Sequence, residues 1–220
     1  MLSHRATAVL IAGLALGGLV SCTGDPSLLD AADLTPLLLT AEETGIPGTV
    51  TRTLNEGENV PTQLPLAIPS LDIGRPCEDA VHAGLDARFL PHASSSAGYT
   101  VGQVHLELGL FSVAEDLDVR AIYGDILTEC AEPVHDPTYD VTYSVHPLDS
   151  EYPGMRVLIH DGDGRIHESI VIQAEVGNHW VLAGAQRMSG EAVEQIVAAQ
   201  IAKLEDGLNR DLWQEHSATR

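Results

Sequence analysis

Hydrophobic and polar positions change their period several times along this chain. Residues 6–20 carry no charge and read Ala, Thr, Val, Leu, Ile and Gly, with His4 and Arg5 just before them. That is the layout of a signal peptide, and it is short for a transmembrane helix, which needs about 20 apolar residues. Further on, "LLLTAEETG" pairs Thr40 with Glu43, a capping box, and Gly45 stops the turn it opens. "TVTRTL" alternates and is β-branched, so it predicts a strand. Residues 55–75 have no helical period and read as a surface loop. "PCEDAVHAGLDARFL" (76–90) predicts a helix with Pro76 and acids in its first turn. "PHASSSAG" reads as a loop, with Ser94, Ser95 and Ser96 as linker.

The alternation then becomes clean. In "VGQVHLELGLF", Val104, Leu106, Leu108 and Leu110 face one way and Gln103, His105 and Glu107 the other. Ser112 with Glu115 reads as a second capping box, opening a helix that runs to about Cys130. "YDVTYSVHP" sets Tyr139, Val141, Tyr143 and Val145 against Asp140, Thr142, Ser144 and His146. "MRVLIH" and "IHESIVIQAEV" are joined by Asp161-Gly162-Asp163-Gly164, a hairpin signal, and "WVLAGAQ" follows a second tight turn at Gly177-Asn178. The chain closes on "GEAVEQIVAAQIAKLEDGL", whose Val193, Ile196, Val197, Ile201 and Leu204 share one helical side. The expected fold is α+β in one domain. It has a twisted antiparallel sheet, a meander of about four to six strands, with helices packed on one face. The expected layout is a signal peptide over 1–21, a flexible tether over 22–36, the domain over 37–208 and a polar tail over 209–220.

Charge narrows the partners. The chain carries 32 Asp+Glu against 11 Lys+Arg, a formal net charge of −21. Loss of residues 1–21 would remove Arg5 and no acid. Phosphate binding needs a basic surface, so nucleic acid is excluded as a partner. Direct adsorption to anionic lipid is disfavoured as well, and any membrane attachment falls to an anchor. Leu19-Val20-Ser21-Cys22 resembles the bacterial lipobox. That resemblance implies a diacylglycerol on the Cys22 thiol and cleavage before it, with the protein held on the extracytoplasmic face of the cell membrane. Acyl chains contribute about 0.8 kcal/mol per buried methylene, so two or three anchor stably. Cys77 and Cys130 remain. Oxidising conditions outside the membrane favour one bridge between them, worth roughly 4 kcal/mol by loop entropy. A metal pair and free thiols are the alternatives, and there is no CxxC.

Familiar catalytic signatures are missing. The chain has no GxSxG, HExxH or SxxK and no phosphate-cradling glycine loop. "DGDGR" lacks the further oxygen ligands of a calcium loop and reads as a turn. Histidine is the conspicuous polar excess, with ten in all. Strand parity sets His105, His146, His160 and His167 opposite the apolar positions, on one expected open face. With Glu107 they are the candidate ligand-binding residues. Two or three histidines with Glu107 or Glu168 could converge on zinc, or sense acid, or be hydrated surface groups. No ligand spacing marks a metal site, and no cofactor is expected. Tyr139, Tyr143 and Trp180 fit either a core or an apolar pocket lining.

With this layout, residues 37–208 resemble the extracellular sensor domain of mycobacterial PknH-type receptor serine/threonine kinases, which also occurs alone in actinobacterial lipoproteins. The stretches that carry the likeness are "LLLTAEETG", the Cys77 helix, "SVAEDLDVRAIYGDILTEC", and the meander through "DGDGR" to the last Ala/Ile-rich helix. The resemblance implies a twisted antiparallel sheet with helices on one side and a cleft suited to a ligand. Two departures stand out. This chain has no kinase domain, and it can form one of the family's two disulfides. The function expected is non-catalytic: a lipid-anchored extracytoplasmic protein that binds or senses a small or lipidic molecule or an envelope protein. A structural or protein-interaction lipoprotein of the envelope is the alternative. An unrecognised hydrolase is a third reading, and it requires a nucleophile, a histidine and a carboxylate in one cleft.

Overall fold

The computed structural model describes residues 28–46, 51–60, 62–63, 68, 76–86, 88–114 and 117–218. Cys22, the signal segment and Glu115 lie outside them. The chain opens with helix α1 (Ala31–Leu34) and a 3-10 turn, Thr35–Leu37. Strands β1 (Thr51–Glu58) and β2 (Thr62–Gln63), helix α2 (Cys77–Asp86) and strand β3 (Arg88–Phe89) follow. Strands β4 (Ala93–Val101) and β5 (Val104–Ser112) form a hairpin, and helix α3 is Val119–Glu129. The second half is β6 (Val134–Asp136), β7 (Val141–Pro147), β8 (Gly154–Asp161), β9 (Ile166–Val176), β10 (His179–Gln186) and helix α4 (Gly190–Ala218).

One antiparallel sheet of eight strands runs β1-β4-β5-β10-β9-β8-β7-β6, and β2 pairs with β3 separately. The expected meander is its β7-to-β10 part. Two strands of this sheet, β4 and β6, were not expected, and β1 is longer than expected. "ASSSAGYTV" is β4, not a loop; it pairs with β5 along its whole length and with β1 from Ala93 to Thr100. Its buried side is small: Ala93, Ser95 and Ala97 are fully buried. Small side chains let α1 lie close on the strand, and Ser95 Oγ sits 2.9 Å from Thr35 Oγ1. β1 runs on through Glu58, into the expected loop. β6 is a three-residue edge strand.

Helices cover both faces, which corrects the one-sided expectation. Leu106, Leu108 and Leu110 of β5, Ile170 and Ile172 of β9 and Val181 of β10 form one core with α1 and α4. Tyr143, Val145, Met155, Val157, Val171, Trp180 and Leu182 form a second core with α2 and α3. The residues of each core are of opposite strand parity in β9 and β10, so those two central strands are buried on both sides. Their sequences hold the apolar runs "IVI" (170–172) and "WVLA" (180–183), as two-sided burial favours, with the polar Gln173 buried beside the first. Tyr139, expected among the inward residues, stands in the turn before β7 and is 70% exposed.

The folded unit also begins before residue 37. Leu29, Ala31 and Leu34 are buried. Ser112 does not cap a helix. It ends β5, and its hydroxyl donates to the Leu29 carbonyl at 2.7 Å while Ser112 Oγ accepts from the Leu29 N–H at 3.0 Å. Helix α3 starts seven residues later, where Asp118 caps it by accepting from Ala121 N at 2.9 Å. The Thr40–Glu43 capping box forms in both directions, at 2.6 and 3.3 Å. At the other end α4 continues through the expected tail as far as Ala218. Gly207 lets α4 cross the N-terminal 3-10 turn closely, because a Cβ there would meet Leu37 Cδ2 at 2.5 Å. Cys77 and Cys130 form a disulfide that staples α2 to the end of α3. Among the described residues no helix is long and apolar enough to cross a membrane.

Candidate functional site: a sheet–helix groove

The hairpin turn between β4 and β5 stands beside the first turns of α4. Val101 and Val104 flank that turn, and Ile46 approaches from the N-terminal segment. Together with Met188, Ala192 and Ile196 they line a groove of about 500 Å³. That volume lies within the range of small-molecule sites, roughly 300–1,000 Å³. Glu43, Thr44, Gly45, Gln195 and Ala199 also line it. The local sequence explains the opening. Ala192 and Ala199 are small where the helix faces the groove, and Gly45 (φ +66°) ends the Thr40–Glu43 turn and passes the chain directly to buried Ile46.

The groove's polar rim is fixed. Glu43 accepts from Lys203 Nζ at 2.8 Å, and Lys203 also donates to the Leu38 carbonyl at 2.9 Å. The Lys203 ammonium first, and the Thr40 N–H second, hold the Glu43 carboxyl down at about 2. Both charges are therefore satisfied by the protein. What remains for a ligand is mainly aliphatic surface.

The five candidate ligand residues do not converge. His105 and Glu107 share one face of β5, and His105 Nδ1 lies 3.0 Å from Thr100 Oγ1. His167 is on that same face, two strands away in β9. It sits between Arg187 Nη2 (2.6 Å from Nδ1) and Asp161 Oδ2 (3.4 Å from Nε2). His146 and His160 lie on the opposite face, paired in register with Arg156 and Thr142. Glu168 shares that second face, 3.9 Å from Arg156. The single open face expected from strand parity is thus two half-faces. The inward residues of β5 point to α1 and α4, whereas those of β7 and β8 point to α2 and α3, so the uncovered side switches along the sheet. Among the described residues no three His, Cys, Asp or Glu side chains are placed to hold a metal ion.

Of the five, Glu107 lines a cavity. With Thr62, Ser94, Ser96, Gly109, Phe111, Leu182 and Gly184 it borders a cleft of about 230 Å³ on the sheet face away from α4. No histidine is among the described residues of that cleft. Tyr143 and Trp180 are core residues. Sequence reasoning missed the groove lining because it depends on β4: with residues 91–98 read as loop, Val101 and Val104 could not be set on a hairpin.

No family model matches the chain, and no curated protein matches it. Solved structures do. The extracellular domain of PknH from Mycobacterium tuberculosis superposes with a TM-score of 0.53 at 15% identity, covering 82% of this chain and 98% of that one. A putative uncharacterized protein (Rv0999 ortholog) from Mycobacterium smegmatis gives a TM-score of 0.42 at 13% identity, covering 81% and 98%. The chain is therefore similar in fold to the PknH extracellular domain, as the order and texture of its elements imply.

Proposed function

We propose that this protein is a non-catalytic, lipid-anchored sensing lipoprotein of the extracytoplasmic cell surface that binds a small apolar or lipidic molecule. The observation that carries the binding step is the groove of about 500 Å³ between α4, the β4–β5 turn and Ile46. Its charged rim is already neutralised within the protein, so an apolar ligand gains by leaving water while no carboxylate or ammonium is stripped of its partner. Likeness to an extracellular domain supports the location, and the Leu19–Cys22 lipobox supports the anchor at Cys22. Likeness in fold to the extracellular domain of PknH supports the non-catalytic reading as well.

Native mass spectrometry of the purified protein after exposure to envelope lipid extracts tests the binding step. A bound species of constant mass is expected. A protein that stays empty across all extracts fits the envelope-scaffold reading instead.

A further inference from the structure

The cleft around Glu107 has a chemistry of its own. It lies on the opposite side of the sheet from α4: Glu107 and Leu108 are consecutive in β5, and Leu108 is in the α4 core. Its floor is the backbone of β5 and β10 at Gly109 and Gly184. A Cβ added at Gly184 would meet nothing within 4 Å, so the space above it is open. At Gly109 the absent side chain lets the Phe111 ring lie over the strand; a Cβ there would meet Phe111 Cε2 at 2.7 Å.

The walls are rich in acceptors. Ser94 donates its hydroxyl proton to the Gly57 carbonyl at 3.4 Å, and Thr62 donates its own to the Val60 carbonyl at 3.0 Å. With their protons so engaged, both hydroxyls offer a ligand their acceptor lone pairs. Glu107 adds a carboxylate, which only accepts. Such a site calls for a ligand that donates, and the carboxylate calls for a cation. The chain's net charge of −21 draws cations toward it. The volume of about 230 Å³ is below the usual range for drug-sized ligands and limits the guest to one small ring or headgroup.

We infer that the cleft bounded by Glu107, Ser94, Thr62 and Phe111 is a second binding site, for a small ligand carrying an ammonium group and several hydroxyls, an amino sugar in chemical class. Glu107 is the counter-ion of the ammonium. The hydroxyls of the ligand donate to Ser94 and Thr62, and its carbon skeleton rests on Phe111 and Leu182. This site is independent of the apolar groove and does not rest on that reading.

Calorimetric titration of the intact protein with three probes tests it: glucosamine, glucose (hydroxyls without the charge) and cyclohexylamine (charge without the hydroxyls). Glucosamine is expected to bind at least tenfold more tightly than either. Glu107→Gln, an exposed position that leaves the core untouched, should weaken glucosamine at least tenfold and abolish its advantage over glucose. Gly184→Leu should block all three by filling the open space, with binding of an apolar probe in the α4 groove unchanged in both variants. Absence of glucosamine binding at millimolar concentration overturns the assignment. So does equal binding of glucose, or glucosamine affinity that survives Glu107→Gln.

Discussion

Gln200, fully buried in α4, holds the backbone of Leu39: its Oε1 accepts from Leu39 N at 3.0 Å while its Nε2 donates to the Leu37 carbonyl at 2.9 Å. One side chain thus satisfies two main-chain groups of an irregular segment 161 residues away. This bond pair fixes the strand-like passage from the 3-10 turn to the Thr40–Glu43 turn, and so one wall of the groove. Gln200→Leu keeps the volume but leaves both backbone groups unpaired. The expected loss is about 2–4 kcal/mol, read as a lower urea midpoint with an unchanged m-value.

The disulfide predicts a different signature. Cys77 and Cys130 are 53 residues apart and tie α2 to α3 over the second core. Reduction, or the double change Cys77→Ser with Cys130→Ser, should cost about 4 kcal/mol in chain entropy. Non-reducing peptide mapping should recover the two cysteines in one linked fragment, and denaturation with and without reductant should give the difference.

Acid should destabilise the fold in two separate steps. His179 is buried at the β9–β10 turn, and burial pushes its pKa down from the usual 6.5, partly offset by the Val176 carbonyl. The unfolded chain then binds a proton that the folded chain resists. Its contribution to stability is complete above about pH 6.5 and falls as the pH drops toward the lowered folded value. Glu43 acts lower. Its folded pKa of about 2 against an ordinary 4.5 gives stability that is present above pH 4.5 and lost on the way down to pH 2. The Glu43 carboxylate is 44% exposed, so solvent screening keeps that second step small. Chemical denaturation from pH 8 to pH 3 should show both, and His179→Leu should flatten only the upper one.

Attachment to the membrane is tested at one atom. Replacing the Cys22 thiol by Cys22→Ala should move the protein from the membrane fraction to the soluble one. Mass spectrometry of the membrane-extracted wild type should find acyl chains on an N-terminal Cys22. An unmodified soluble mature form would sink the anchor.

Much of this architecture can be read from residue order. The β7–β10 meander, the two hairpin turns, the Thr40–Glu43 box and the last helix all declare themselves through period and turn chemistry. Three features escaped for physical reasons. β4 is disguised because its buried row is Ala93, Ser95 and Ala97, small residues selected for close contact with α1 and indistinguishable in composition from a loop. The second helical layer was signalled by "IVI" (170–172) and "WVLA" (180–183), apolar runs with no alternation, whose meaning depends on knowing that β9 and β10 are central. The scatter of the histidines followed from that: His105 and His146 both oppose apolar neighbours, yet those neighbours serve different cores. Of the candidate site, Glu107 was legible by parity. The groove was not, since it assembles Ile46, Val101 and Met188 from three distant segments.

Titration of the intact protein with a fluorescent fatty acid such as cis-parinaric acid, alongside Ala192→Trp, bears most directly on the groove. Ala192 is partly exposed on the first turns of α4 and faces the groove, so a Trp there fills it with little disturbance to the core. The predicted result is saturable one-to-one binding by the wild type and at least a tenfold loss in Ala192→Trp. Binding that fails to saturate, or that is the same in both proteins, would contradict an apolar ligand site between α4 and the β4–β5 turn.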